Sequence, residues 1–234
     1  MWALLAVLFL QTVSLATENA TARYYVVFLR RSPERKPLPK EDADRIQTAH
    51  MANIHKMADD GVLVSAGPFE DTPPNISGIF VFSTDSLATA ERIAAQDPTV
   101  VAHRNTVDVH AWAGPAGIGE EYRRLHKLDP KTPENMQIHP FCIVFRGRKW
   151  GTSKQHQAAW IREHERYVQQ LRAKGKLSAA GPIENSGDFA GLVIFRPISL
   201  DEAQTLMKTD PAVKAGALRV EYHRWWSSDH VLPW

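Results

Sequence analysis

Apolar and polar residues alternate along this chain in a pattern that predicts short strands separated by helices, and the whole pattern occurs twice. β-rich runs lie at residues 24–29 and 141–145. After each run, apolar residues recur at helical spacing and fall within about 80° of one another at 100° per residue. The two helical stripes are Ile46, His50, Ile54 and Met57, then Trp160, His164, Val168 and Leu171. Each predicted helix therefore has a histidine in the middle of its apolar face.

Three more strands and a second helix complete each copy. Gly61 and Gly175 are expected to end the first helix, because glycine tolerates the left-handed geometry of a helix end. Strand-like runs follow at residues 62–66 and 177–180, then a Gly-Pro turn, then residues 78–82 and 191–195. The second helix begins near Ser86 or Ser199 and ends at Asp-Pro, since proline disfavours helical geometry in the residue before it.

The last strand of each copy has two different faces. Val107 and Val109 share one face, and the other face carries Asp108, His110 and Trp112, repeated as Glu221, His223 and Trp225. Helices would cover the valine face, which predicts an antiparallel sheet with helices on one side and the order β-α-β-β-α-β. The opposite face must meet water or a second sheet. Two tandem copies favour sheet-to-sheet packing, with the tryptophans filling the interface and a cavity between the sheets.

A nearly constant offset shows that the two halves are copies of one module. The offset is 114 residues from His50 to His164 and from Pro68 to Pro182, and 113 residues from Asp97 to Asp210. An internal repeat of this kind decides the domain organisation. The predicted division is a signal peptide over 1–22, a first module over 23–113, a linker over 114–139 and a second module with a C-terminal tail over 140–234. One helical turn is expected near 121–126, and the tail is expected to pack against the body.

Composition excludes some partners and suggests a compartment. The chain has 28 Lys+Arg against 26 Asp+Glu, spread along its length, which argues against nucleic-acid binding. The apolar run at residues 2–10 is too short for a membrane span, which needs roughly 20 residues. Small residues at Ala16 or Ala22 suit signal cleavage, although no basic residue precedes the run. Cys142 is the only cysteine, so no internal disulfide can form. We expect a periplasmic or secreted protein without a stable membrane anchor; a retained anchor or a buried strand is the alternative.

Each copy contains the motif Gly-x-Leu-x-x-Ala-Gly-Pro, which starts eleven residues after a helix histidine and is followed by a helix ending in Asp-Pro. In this motif and its spacing the chain resembles the YCII-related (YciI-like) family. The motif begins at Gly61 and again at Gly175, and the resemblance covers residues 23–112 and 140–225. The resemblance implies an α+β fold in which two ferredoxin-like modules pack sheet to sheet as an intramolecular dimeric α/β barrel. It also implies a His–Asp pair in a cleft, with some relatives being lyase- or dehydrochlorinase-type enzymes.

His50 and His164 match the family histidine by position, and the alternative is a core histidine satisfied by a backbone carbonyl. The carboxylate partner is expected shortly after Gly-Pro, where the first copy has Asp71 and the second has Asn185. Asparagine cannot stabilise an imidazolium as aspartate does. The first copy is therefore the better candidate for a His50–Asp71 dyad, and the second would be retained to complete the barrel. Asp71 could equally be a turn residue.

Other polar residues have structural explanations. We interpret Asp97 and Asp210 as helix stops rather than catalytic groups. Asp108, His110, Glu221 and His223 could bind a polar ligand or a metal through imidazole and carboxylate, but hydrogen bonding between the two sheets is the preferred interpretation. The sequence contains no Cys/His cluster, HExxH, phosphate loop or nucleophile elbow. It therefore predicts no cofactor and no metal.

Two functional hypotheses remain from the sequence. The first is a cofactor-free acid–base enzyme that eliminates or isomerises a small organic molecule through His50 and Asp71. The second is a non-enzymatic module, structural or holding a small molecule in the inter-sheet cavity. Both assume a pseudo-dimer of the two modules, with further self-association left open.

Overall fold

The computed structural model describes residues 20–70, 75–151, 153–184 and 187–234, and it contains two equivalent sets of strands and helices. The first module consists of β1 (Thr21–Arg31), α1 (Lys40–Asp59), β2 (Leu63–Pro68), β3 (Ile76–Phe82), α2 (Leu87–Ala95), α3 (Pro98–Val101) and β4 (Asn105–Pro115). A helix, α4 (Glu120–Leu128), connects the modules. The second module consists of β5 (Met136–Arg146), α5 (Lys154–Ala173), β6 (Leu177–Pro182), β7 (Phe189–Phe195), α6 (Leu200–Lys208), α7 (Pro211–Lys214) and β8 (Leu218–Ser228).

Each module forms a four-stranded antiparallel sheet with β1 or β5 inside it. The strand orders are β2-β3-β1-β4 and β6-β7-β5-β8. Residues 24–29 of β1 are buried without interruption, which is the burial expected of a strand covered on both faces. The order is that of a ferredoxin-like βαββαβ module, as the sequence predicts, although β1 and β5 extend beyond the predicted runs at both ends.

Local sequence sets the ends of the helices. The side chain of Ser86 accepts a hydrogen bond from the Thr89 N–H, and that of Ser199 accepts one from the Glu202 N–H, so both serines cap helices that begin where the sequence predicts. Gly61 and Gly175 follow the long helices with φ of +73° and +65°. The short helices α3 and α7 were not expected. Each begins directly after the Asp of an Asp-Pro pair, with proline in its first turn, where proline needs no hydrogen-bonding partner.

The two sheets pack face to face, as the alternation in the last strands predicts. Trp112 and Trp225 are fully buried in a cluster that draws on both sheets. Val107 and Val109 lie on the helix side with the separate core of the first module. The inter-sheet layer contains many apolar and aromatic side chains. The cavity around His50 lies on the helix side of the first module and reaches the edge of this layer at Val64, Phe69 and Ile79.

Two seams join the sheets into a barrel. At one seam Phe69 pairs with Trp225, and at the other Trp112 pairs with Ile183. Backbone hydrogen bonds continue each seam: the Glu70 N–H donates to the Arg224 carbonyl at 2.9 Å, and the Glu184 N–H donates to the Ala111 carbonyl at 2.8 Å. The eight strands of the described residues therefore close on themselves, which protects the edges of both sheets. This confirms the dimeric α/β barrel within one chain.

The connection between modules is shorter than the predicted linker over 114–139, because β4 continues to Pro115 and β5 begins at Met136. The helix α4 covers the predicted helical turn. The C-terminal tail packs on the body as predicted, since Val231 is buried and its carbonyl accepts a hydrogen bond from the Gly119 N–H. Among the described residues, no helix combines the length and the apolar character needed to span a membrane.

The seams depend on glycine. A Cβ atom on Gly67 would stand 1.8 Å from the Trp226 carbonyl oxygen, and one on Gly181 would stand 1.9 Å from the Ala113 carbonyl oxygen. These contacts are between backbones, so a side-chain rotation cannot relieve them.

We expect Gly67→Ala and Gly181→Ala each to lower the free energy of unfolding by about 3 kcal/mol or more, because the two sheets must move apart. Gly175→Ala is the matched control: its Cβ would meet nothing within 4 Å, and only the left-handed backbone opposes it, at a cost of about 1 kcal/mol. Urea unfolding monitored by tryptophan fluorescence measures all three. Equal losses in the seam and control variants would contradict the seam geometry.

Candidate functional site

The described structure contains a cavity of about 1210 Å³ on the helix side of the first module. Helix α1 forms one wall, and the ends of β1, β3 and β4 form the floor. The cavity continues past β2 to α4. Its lining includes His50, Ile54, Ser77, Thr99 and Asn105. The site is therefore built mainly by the first module and α4, and Met136, Ser228 and Val231 of the second module and its tail also contribute to the lining.

His50 is held in this cavity by a buried carboxylate. Its Nδ1 lies 2.8 Å from Oδ2 and 3.0 Å from Oδ1 of Asp97. The side chain of Asp97 is 0% exposed and that of His50 is 13% exposed. Because an ionised carboxylate only accepts hydrogen bonds, the neutral imidazole donates Nδ1–H and keeps its lone pair on Nε2. The ring stacks on Phe80 at a centroid distance of 5.8 Å, which fixes its plane.

Asp97 serves as helix cap and histidine partner at the same time. Its Oδ1 accepts hydrogen bonds from the N–H of Thr99 at 2.9 Å and from the Thr99 hydroxyl at 2.6 Å. Its Oδ2 also accepts one from the Asn53 amide at 3.1 Å. Burial by itself would raise the pKa of Asp97, but the hydrogen bonds from His50 and Thr99 outweigh it and hold the pKa below its ordinary value. The carboxylate is therefore charged and fully hydrogen-bonded at neutral pH.

A chain of polar side chains extends from this pair toward the sheet. Asn105 donates its amide to the Thr99 hydroxyl at 3.0 Å, and Ser77 donates its hydroxyl to the Asn105 carbonyl oxygen at 2.9 Å. The chain fixes Thr99, which in turn fixes Asp97. Connected polar networks of this kind hold their members in one arrangement, because each buried polar group would be costly if left unpaired.

The second module has the pair without the network. His164 Nδ1 lies 2.5 Å from Oδ2 of Asp210, whose side chain is again 0% exposed. The positions of Asn53, Thr99, Asn105 and Ser77 are taken there by Tyr167, Ala212, Leu218 and Ala190. The Tyr167 hydroxyl donates to the Leu206 carbonyl instead. Four polar residues therefore surround the first pair, whereas a tyrosine and three apolar residues occupy the equivalent positions around the second pair.

The carboxylate that the sequence pairs with His50 lies in a part of the chain outside the described residues. Asp71 and Asn185, on which the sequence argument for the first module depended, lie outside the described residues. The carboxylate that the structure places on His50 is Asp97, and Asp210 takes the same place on His164. The interpretation of these two aspartates as helix stops alone was therefore incomplete.

The second constellation from the sequence lies on the inter-sheet face. His110 lies 2.7 Å from the Asp108 carboxylate, which also accepts from Arg30, and its ring is 4.5 Å from that of Phe189 in the other module. His223 stacks on Phe69, across the other seam, at 4.9 Å. Glu221 pairs with Arg219 on its own strand. His110 and His223 therefore take part in contacts between the modules, whereas Asp108 and Glu221 pair within their own modules. Among the described residues, no three histidine, cysteine or acidic side chains are grouped as metal ligands.

The arrangement around His50 can accept and return a proton. An imidazole with Nδ1–H held by a charged carboxylate is oriented, and its protonated form is stabilised, so Nε2 can act as a general base and then as an acid. Thr99, Asn105, Ser77 and Asn53 were missed from the sequence. Their signal was available, because each is a polar residue whose equivalent in the second copy is an aromatic or apolar one.

Comparison with solved structures finds proteins of similar fold. The fold matches a mutant chlorite dismutase from Candidatus Nitrospira defluvii with a TM-score of 0.57 and 10% identity, over 89% of this chain and 92% of that one. It also matches a heme-binding protein from Thermus thermophilus with a TM-score of 0.50 and 14% identity, over 91% and 95%. At these identities the likeness concerns the fold alone.

No curated protein matches the sequence at a significant level. The family model of the YCII-related domain, however, matches residues 24–113 and 141–226, one match for each module. The chain thus belongs to the YCII-related family and carries two copies of its domain.

Proposed function

We propose that this protein is a cofactor-free acid–base enzyme, of lyase or isomerase type, that acts on a small organic molecule in the cavity of the first module. The observation that carries the proposal is the cavity-lining His50 imidazole held through Nδ1 by the fully buried Asp97 carboxylate. The dyad of this proposal is His50–Asp97, in place of the His50–Asp71 dyad expected from the sequence.

The proposed reaction begins with removal of a proton from an activated carbon of the substrate. The C–H bond breaks, its proton moves to Nε2 of His50, and its electron pair forms a new double bond. In an elimination the leaving group departs with the electrons of its own bond, and His50 then releases the proton to solvent. In an isomerisation His50 returns the proton to another carbon. Asp97 stays ionised throughout and stabilises the transient imidazolium.

The difference between the modules supports a single active site in the first. His50 and His164 have the same partner type, yet only the first pair is surrounded by Asn53, Thr99, Asn105 and Ser77. A catalytic group works best when its supporting groups are themselves fixed. We therefore propose that the second module completes the barrel.

A second proposal is that the cavity binds a small molecule without turning it over. Its support is the size of the cavity and the heme-binding protein among the structures with this fold. His50 fits such a ligand in one respect, since its Nε2 is a nitrogen that could bind an iron while Asp97 orients the ring. A bound heme would supply redox chemistry. Hemin is therefore one ligand to test.

We also propose that the protein is exported to the periplasm or secreted. The apolar run at residues 2–10 supports this, and it lies outside the described residues. Thr21 and Ala22 pair with Pro115 and Gly114 as the first residues of β1. Cleavage after Ala16 would leave this strand whole, whereas cleavage after Ala22 would remove two paired residues.

The mature protein is therefore expected to begin at Thr17. Expression of the full chain in a bacterial host, cell fractionation and mass spectrometry of the N-terminus would measure this. Protein that stays in the cytoplasm with an intact N-terminus would contradict export, and a mature N-terminus at Arg23 would contradict the choice of site.

The tautomer of His50 tests the dyad without a substrate. At about pH 8.5, well above the ordinary pKa of histidine, ¹⁵N NMR should show His50 with the proton on Nδ1 and the lone pair on Nε2. In Asp97→Asn the amide can donate to Nδ1, so the proton should move to Nε2. His164 serves as internal control, because it should keep its Nδ1–H form in both proteins. An Nε2–H form of His50 in the unaltered protein would contradict the proposed base.

Activity tests the reaction. A thermal-shift screen of the protein against small organic acids, ketones and hemin would identify a ligand, whose turnover is then followed by NMR. We expect His50→Ala and Asp97→Asn to lower kcat/KM by roughly 10²- to 10⁴-fold, the usual contribution of general acid–base catalysis. His164→Ala should retain activity, and Asp71→Asn gives the comparison with the dyad expected from the sequence. Unchanged turnover in both first-module variants would refute the enzyme, while ligand binding without turnover would favour the second proposal.

A further inference from the structure

Four arginines line the same cavity as His50: Arg123 lies on α4, and the other three lie together at the opposite end. Arg31 is the last residue of β1, Arg35 lies in the segment that follows it, and Arg104 directly precedes β4. β1 and β4 pair with Arg31 opposite Asn105, so the strand register brings Arg31 and Arg104 to the same end of the sheet. The cavity is therefore positively charged at this end.

The charges of these arginines are not balanced by protein carboxylates. Within the part of the chain that the structure describes, none of the three forms an ion pair; Arg104 instead donates to the Lys36 carbonyl. The backbone brings the three together, because the Ser32 N–H donates to the Arg104 carbonyl at 3.1 Å and the Arg35 N–H donates to the Ser32 carbonyl at 3.2 Å. In keeping with this, the pKa of Arg35 is lowered by burial first and then by the positive charges of Arg104 and Arg31. Three acidic residues also line the cavity: Asp44 pairs with Lys40, Glu134 accepts from Tyr122, and Asp59 is the last residue of α1.

A group of like charges beside a cavity favours an anion. Each guanidinium carries a planar fork of N–H donors that matches the two oxygens of a carboxylate or a phosphate. The repulsion among the three is relieved when an anion binds between them. The group is also specific to the first module, because Ala217 takes the place of Arg104 in the second, and the equivalent of Arg31, Arg146, lies over the Trp150 ring at 5.4 Å.

Further along the cavity, two buried hydroxyls indicate that its natural occupant has polar groups. Ser65 and Ser228 are 4% and 5% exposed, and both line the cavity. Their hydroxyl oxygens have no hydrogen-bonding partner among the described residues. Buried polar groups are nearly always hydrogen-bonded in native proteins, so a partner from the occupant or from water is expected.

We propose that the ligand of this cavity is a small organic anion, whose carboxylate or phosphate group is bound by Arg31, Arg35 and Arg104 and whose remaining part extends toward His50. The inference rests on the proposed function only for the role of His50, since the arginines define an anion site whether or not a reaction follows. Binding of the charged end would fix the distance between the reacting carbon and Nε2.

Isothermal titration calorimetry with three matched probes tests this. Benzoate and phenyl phosphate carry the anion, and benzamide is the neutral analogue of the first. We expect at least one anion to bind at least about tenfold more tightly than benzamide, because charge-assisted hydrogen bonds to arginine contribute more than neutral ones. The tighter of the two anions identifies the group for which the site is built.

Variants connect this preference to the arginines. In Arg31→Gln/Arg104→Gln the preference should fall at least about tenfold, with benzamide binding unchanged. Arg92→Gln is the control, since Arg92 is exposed on α2 and does not line the cavity. Equal binding of anion and amide, absence of binding by both anions, or a preference that survives in the double variant would each overturn the inference.

Repeating the titration in His50→Ala separates this inference from the proposed function. A retained anion preference together with lost turnover supports both. A retained anion preference with unaltered turnover leaves the anion site in place and refutes the role of His50. Turnover that depends on His50 without any anion preference refutes the anion site alone.

Discussion

The fold depends on covering one apolar face of each sheet. In both modules the helices cover only one face, and the other, with Trp112 or Trp225, would be exposed in an isolated module. Modules of roughly 90 residues bury too little surface to tolerate such exposure well. The second sheet covers this face, and closure at two seams removes the free edges. The seams require backbones to approach so closely that only Gly67 and Gly181 fit. The Gly-Pro pairs lie at the ends of β2 and β6 and not in turns as predicted, and their glycines are required by both sheet packing and barrel closure.

Most of this architecture could be predicted from the sequence because its causes are local and occur twice. The alternation of Val107 and Val109 with Asp108, His110 and Trp112 assigned the two faces of the last strand, and the offset between copies assigned the modules. The short helices after Asp97 and Asp210 were missed, because four residues are too few for a periodic pattern. The sequence placed a cavity between the sheets, whereas the cavity around His50 lies on the helix side of the first module. The aromatic side chains of the interface occupy much of the space between two packed sheets, which is about 10 Å.

The site could be predicted only in part, for a physical reason. The sequence singled out His50, since a polar ring in the middle of an apolar stripe needs a partner. It did not find Asp97, because an aspartate before proline is fully explained as a helix cap. A carboxylate has two oxygens, however, and capping by Thr99 takes Oδ1 while Oδ2 accepts from Asn53 and lies closer to His50. His50 and Asp97 are 47 residues apart, so only the packing of α1 against α3 brings them together.

The two copies together show which part of the site belongs to the fold. His164–Asp210 repeats His50–Asp97, so the pair ties the long helix to the short one in both modules and does not by itself define an active site. What differs is the surrounding network. A buried polar network is stable when every member is satisfied, and a partly satisfied one is worse than an apolar core. Thr99, Asn105 and Ser77 depend on one another in this way, and in the second module all three positions are apolar. Their joint replacement removes the network without leaving an orphaned donor. In the first module the network lies beside a cavity lined by Arg31, Arg35 and Arg104, none of which forms an ion pair among the described residues. The fold of the second module does without such a network, so the function proposed for the first module gives a reason to keep these polar groups fixed there.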